Sequence, residues 1–206
     1  MLEVNETRKK WMTIIFEHIL AEISSAEQVV RLIKQDSDLL GTISTVTEVC
    51  VQAYKNGGKL IFAGNGGSAA DAQHMAAELV GRFEMDRPGL ASIALTTDTS
   101  MLTSISNDYG FENVFARQIE ANGNPNDVFF GLTTSGSSKN ILRALDACKV
   151  KNIKTVGMTG IKGDSLKSLC DYCFIAPSNV TARIQEAHTL IGHVLCSQIE
   201  KVLFHK

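Results

Sequence analysis

From residue 59 onward the chain repeats one pattern: a short apolar run with no polar alternation, then a stretch with helical periodicity. No other feature of the sequence constrains its fold as strongly. The runs are 60–63, 91–95, 128–132, 155–158 and 172–175, and the helical stretches between them are 69–82, 99–107, 113–121, 139–151 and 164–169, with a last helix at about 180–204. A strand that is apolar on both faces must be covered on both faces, which is the condition of a parallel sheet flanked by helices. Right-handed crossovers then give an α/β fold, a three-layer αβα sandwich with a five-stranded parallel sheet. Residues 1–58 have no strand signal. Trp11, Ile14, Ile15, Ile19, Leu20 and Ile23, and later Leu39, Leu40, Ile43, Val46, Val49 and Cys50, recur at three- and four-residue steps, and Gly57-Gly58 stops the second helix. The expected organisation is an N-terminal helical arm over 1–58 serving oligomerisation, or covering a sheet edge, and a sheet domain over 59–206, together one structural unit.

Composition removes several classes of function. With 206 residues the chain is one domain, and 20 Lys+Arg against 22 Asp+Glu leave a charge of -2, the opposite of a nucleic-acid surface. The apolar runs are far shorter than the ~20 residues of a membrane span. Near the N-terminus, Glu3, Glu6 and the charged run 8–10 precede an apolar run, 11–16, that Glu17 cuts off; this is too short for a leader. Five cysteines, an odd number in apolar contexts, fit reduced thiols and a cytoplasmic location.

In a parallel α/β sheet, ligands bind beyond the carboxyl ends of the strands. Two loops there are unusual: Gly64-Asn65-Gly66-Gly67-Ser68 and Thr133-Thr134-Ser135-Gly136-Ser137-Ser138, each leading into a helix. Glycine and hydroxyls at a helix N-terminus serve either as caps and tight turns or as a cradle for an anion. Gly64-x-Gly66-x-x-Ala69 matches the dinucleotide fingerprint in form, but no acid ends the next strand, and no Gly-Lys-Ser/Thr follows any loop. A small monophosphate therefore suits these loops better than a nucleotide cofactor.

Acid/base candidates lie on two helices. His74 and Glu78 form an i,i+4 pair, readable as a surface pair or as a functional one. The last helix carries Gln185, Glu186, His188 and His193; Gln185 and His193 lie about 80° apart on the wheel and the two histidines about 140° apart, so both histidines do not serve one site. His193 among Leu190, Ile191, Val194 and Leu195 is equally readable as a core histidine. Cys170, Cys173, His188 and His193 satisfy a generic zinc-finger spacing, yet Cys173 falls on a sheet strand and the helix is too long and apolar for a finger.

Residues 64–82, together with 87–89, 94–98, 107–111, 134–136, the run 181–188 and His193, closely resemble the phosphoheptose isomerases of the sugar-isomerase (SIS) domain superfamily. The resemblance implies a homotetramer with active sites between subunits and a sugar-phosphate substrate, with no nucleic acid or membrane partner. It implies Glu78 and His193 as catalytic residues and Thr133, Thr134, Ser135 and Ser138 as the phosphate loop. It implies Asn65, Gly66, Gly67, Glu78, Asn107, Asp108 and Gln185 as substrate contacts, and a zinc ion at His74, Glu78, Gln185 and His193. Thr133 stands where relatives often have Ser, and the hydroxyl survives. The implied reaction interconverts sedoheptulose 7-phosphate and D-glycero-D-manno-heptose 7-phosphate, the first step of nucleotide-activated heptose biosynthesis, as in lipopolysaccharide supply. The alternative is a non-catalytic SIS-domain regulator of the replication-initiator-associating type; Glu78 and His193, both present, favour catalysis.

Overall fold

The computed structural model describes the backbone of residues 2–204 and side chains from residue 11, so the charged run 8–10 lies outside the described side chains. Two long helices come first, α1 (Leu2–Gln35) and α2 (Ser37–Lys55). They are separated at Asp36, whose carboxylate accepts from the N–H groups of Asp38 and Leu39 at 3.1 and 2.9 Å and so caps α2. Next follow β1 (Leu60–Gly64), α3 (Gly67–Val80), β2 (Ser92–Ala94), α4 (Thr99–Tyr109) and α5 (Val114–Asn122). The chain continues through β3 (Val128–Leu132), α6 (Lys139–Val150), β4 (Lys154–Gly160), β5 (Tyr172–Ala176) and α7 (Thr181–Phe204).

All strands are parallel, in the order β2-β1-β3-β4-β5. β1 and β3 are buried along their whole length, as their unalternating apolar sequences require. Leu60 and Phe62 point into a core with α2, α3 and α7, while Ile61 and Ala63 point into a second core with α5 and α6. Phe62 and Phe130 stack across β1 and β3 at 4.9 Å between centroids, and each such buried ring contributes about 1.5–3 kcal/mol. The expected sandwich is present. The stretch expected as a helix at 164–169 is instead a 3-10 segment, Ile161–Ser168, broken at Gly163. Gly163 packs its backbone against Gly136, and this leaves no room for a regular helix with side chains at that point.

Strand order fixes where a ligand can sit. After β1 the chain moves outward to β2, then crosses back over β1 to β3 and continues the other way, so the helices leave β1 and β3 on opposite faces and open a crevice at their carboxyl ends. The helical arm is not uniform. α2 and the end of α1 (Val29, Ile33) join the first core, whereas Trp11, Met12, Ile15, Phe16, Ile19, Leu20 and Ile23 leave an exposed apolar row along the middle of α1. Among the described residues no helix is long and apolar enough to cross a membrane.

Candidate active site

The loop after β3 carries a hydroxyl cluster. Thr133, 3% exposed, has its Oγ1 2.9 Å from that of Ser138 and 3.5 Å from that of Ser135, and the Ser135 and Ser137 hydroxyls lie 3.0 Å apart. Ser138 precedes α6 without capping it by its side chain, which leaves its hydroxyl for a ligand, and the helix dipole adds positive potential there. The turn depends on Gly136: its φ is +68°, and a Cβ would lie 2.5 Å from the Cα of Gly163. The loop after β1 is tied to this one by a reciprocal amide pair, with Asn65 donating to Asn140 at 3.0 Å and Asn140 donating to Asn65 at 2.9 Å. Both loops thus face the crevice between β1 and β3.

The second half of the site is a ladder between α3 and α7, which run side by side in the same direction. Gly67 lets the Gln185 amide approach so closely that an added Cβ would overlap it. One turn on, Thr189 donates to Asp71 at 2.9 Å; burial pushes that carboxyl up, opposed by this hydroxyl bond and by His74. One turn further, the Nε2 atoms of His74 and His193 are 2.8 Å apart, so one ring presents an N–H and the other a lone pair. Glu78 completes the group, its Oε1 3.5 Å from His74 Nε2. Gly192 keeps the helices close by leaving room for Met75. His74 and Glu78 are therefore more than a surface pair, and His193 is not a core histidine.

The core histidine is His188, fully buried, with Nε2 3.3 Å from the Thr159 carbonyl. Burial pushes its pKa down to about 4, opposed by that carbonyl bond. His188 and His193 thus serve different faces of α7, as the helical wheel requires. Cys170 and Cys173 pack with the core on the other side of the sheet from α7 and are free thiols, so the zinc-finger spacing assembles nothing.

The donor atoms of His74, Glu78 and His193 lie within 4.8 Å of one another. Two imidazole nitrogens and a carboxylate form a borderline donor set of the kind zinc takes, with positions left for other ligands. Gln185 faces α3 as well, but at Gly67, and eight residues of helix put it about 12 Å along α7 from His193. Asn107 and Asp108 sit at the exposed end of α4, where Asn107 donates to Asp108 at 2.8 Å.

Several participants carried no signal in the sequence reading. Asn140, Asp71 and Thr189 become legible only once the register of the two helices is known. Glu200 offers one sequence signal: it is an acid seven residues, two helical turns, beyond His193. It is 1% exposed and accepts from the N–H groups of Phe83, Glu84 and Met85 at 2.8, 2.9 and 3.0 Å, and from Arg87. Burial alone would raise its carboxyl; those N–H bonds and the Arg87 charge outweigh burial and hold it below the ordinary range.

Comparison with known proteins identifies the family. Residues 24–160 match the SIS domain family. A phosphoheptose isomerase 2 of Campylobacter jejuni is 54% identical over 92% of this chain and 92% of its own length. The chain belongs to the phosphoheptose isomerase family of SIS-domain proteins. A phosphoheptose isomerase of Aneurinibacillus thermoaerophilus is 52% identical over 91% of this chain and 95% of its own. Among solved structures, the phosphoheptose isomerase of Neisseria gonorrhoeae superposes with a TM-score of 0.85 at 37% identity, covering 91% of this chain and 99% of that one. Like its relatives in this family, the chain is an isomerase.

Proposed function

We propose that this isomerase interconverts sedoheptulose 7-phosphate and D-glycero-D-manno-heptose 7-phosphate, supplying the first intermediate of nucleotide-activated heptose biosynthesis. The observation that carries the reading is the meeting of Glu78, His74 and His193 through the α3–α7 ladder. The phosphate is held by the hydroxyls of Thr133, Thr134, Ser135 and Ser138, which donate to its oxygens without adding a fixed charge. Asn65, Gly66, Gly67 and Gln185 line the sugar, joined by Asn107 and Asp108.

The chemistry is a proton transfer between two carbons. Glu78 takes a proton from C1 of the ketose while an imidazole N–H of His193 donates to the C2 oxygen, giving an enediol. At the enediol stage the proton on Glu78 exchanges with water; Glu78 then protonates C2 as His193 takes the proton of the C1 hydroxyl, which leaves the aldehyde. Zinc would be held by His74, Glu78 and His193; Gln185, which the family resemblance implies as a further ligand, lies beside Gly67 about 12 Å along α7 and does not join this cluster within one chain. When bound, zinc supplies polarisation of the substrate oxygens. Because Glu78 is both its ligand and the base, its carboxylate must keep one oxygen for the carbon-bound proton.

The exposed apolar row of α1 supports assembly with further copies of the chain, a homotetramer in this reading, with 1–58 as the assembling arm and 59–206 as the SIS domain. The free thiols of all five cysteines support a cytoplasmic location. Incubation with sedoheptulose 7-phosphate, followed by NMR, is expected to yield the aldoheptose 7-phosphate, with fructose 6-phosphate turned over far more slowly. Preference for fructose 6-phosphate would overturn the substrate assignment. Sedimentation is expected to give a mass of four chains.

A further inference from the structure

Beyond the site itself, a buried guanidinium–carboxylate unit holds the two helices at their far end. The side chains of Arg87 and Glu200 are each 1% exposed, with Nη2 and Oε1 2.8 Å apart and Nε donating to the same oxygen at 2.8 Å. The other Arg87 donors turn to the end of α3, where the last carbonyls have no partners within the helix. Nη2 donates to the carbonyl of Glu78 itself at 3.0 Å, and Nη1 donates to Leu79 at 2.6 Å and to Gly81 at 3.2 Å. Glu200 stands two turns beyond His193 on nearly the same face of α7, and binds the backbone of 83–85. That backbone presents the Phe83 ring to His193 at 5.4 Å, and the His74 ring lies at 5.1 Å, so the His193 imidazole contacts both rings.

We infer that Arg87 and Glu200 are positioning residues that set the approach of Glu78 to His193. One arm of the unit fixes the backbone of Glu78 in the last turn of α3, and the other fixes the ring against which His193 rests. Neither side chain reaches solvent or substrate. The inference rests on the proton-transfer roles proposed above for Glu78 and His193. Displacement of a reacting group by about 1 Å can cost ~100-fold in rate. Loosening this unit therefore lowers kcat while the hydroxyl loop, on other elements, keeps KM.

The test uses Arg87→Lys, which keeps the charge but not the carbonyl bonds, and Glu200→Gln. The measurements are kcat and KM for sedoheptulose 7-phosphate and, with no substrate present, the imidazole nitrogen resonances of His74, His193 and His188. The expected result is a fall in kcat of at least about tenfold with KM within about twofold. The His74 and His193 resonances move toward those of free histidine and that of His188, which faces β4, stays in place as the sign of an intact fold. Unmoved His74 and His193 resonances, or wild-type kcat, in a folded variant overturn the inference. Should both variants unfold, Phe83→Leu leaves the ion pair intact and is expected to lower kcat about threefold and shift the His193 resonance; no change in either overturns the inference. Wild-type and Glu78→Gln proteins run alongside separate the two claims. Absence of turnover in the wild type would remove the substrate assignment, and the spectra would still decide whether Arg87 and Glu200 hold the histidines in place.

Discussion

The hydroxyl loop after β3 draws its polar groups from the six consecutive residues 133–138, whereas the contact between His74 and His193 spans 119 positions. The loop is local: Gly136 turns it, Gly163 backs it, and its hydroxyls bond one another until a ligand arrives. The ladder is long-range, and its geometry depends on the packing of two whole helices, from Gly67 and Gln185 at one end to Arg87 and Glu200 at the other. In the proposed reaction, a site divided in this way separates grip from chemistry. Damage to the loop weakens binding of a rigid anion, while damage to the ladder misplaces reacting groups whose binding is little changed.

That division can be broken by kinetics. The largest effect is expected from Glu78→Gln: a fall in kcat of about 10²–10⁴-fold, with KM changed by no more than about threefold. Steady-state assays that found KM raised with kcat unchanged would place Glu78 in binding instead. Next comes acid. The pKa of His188 is lowered from 6.5 to about 4 in the folded protein, so between those values the unfolded chain binds more protons and stability rises with pH. This contribution is complete above about pH 6.5 and is lost as pH falls to about 4, in total about 3 kcal/mol. Glu200, whose carboxyl is lowered, adds a further loss below about pH 4.5. Urea titrations from pH 4 to 7 are expected to give this slope, and His188→Asn to flatten it; because His188 anchors α7 to β4, the ladder is the part that acid loosens.

The loop gives a smaller and opposite signature. Loss of one hydroxyl bond to a charged phosphate is worth about 1.5–3 kcal/mol, so Ser135→Ala is expected to raise KM about 10- to 100-fold and leave kcat within twofold. An unchanged KM would move the phosphate elsewhere. Gly67→Ala, which forces the Gln185 amide aside at the head of the ladder, is expected to have the smallest effect, lowering kcat/KM about tenfold. For zinc, titration of zinc chloride into chelated protein is expected to show affinity weakened more than tenfold by His74→Ala, and undiminished affinity would remove the metal from this cluster.

The same contrast explains how much the sequence discloses. Strand positions follow from apolar runs that need cover on both faces, and the structure puts β1 and β3 where those runs lie. The hydroxyl loop is legible because its members are neighbours in the chain. The ladder is not: helical periodicity puts Gln185 and His193 on one side of α7, but nothing in α7 alone says that this side meets α3. Resemblance to a known family supplied that pairing, and it did so residue by residue, so Arg87 appeared only as part of a motif and Glu200 not at all. Buried polar groups with distant partners, such as Asp71 with Thr189 and Glu200 with residues 83–87, become visible only in three dimensions. The 3-10 segment after β4 escaped for a related reason, since Gly163 answers to Gly136, 27 positions away by their numbering.

Proton bookkeeping at the sugar tests the account most directly. In heavy water, sedoheptulose 7-phosphate turned over by the wild-type protein is expected to give aldoheptose 7-phosphate carrying deuterium at C2, with Glu78→Gln incorporating it at least a hundredfold more slowly. Equal incorporation by the two proteins would contradict the meeting of carboxylate and imidazole as the seat of the reaction.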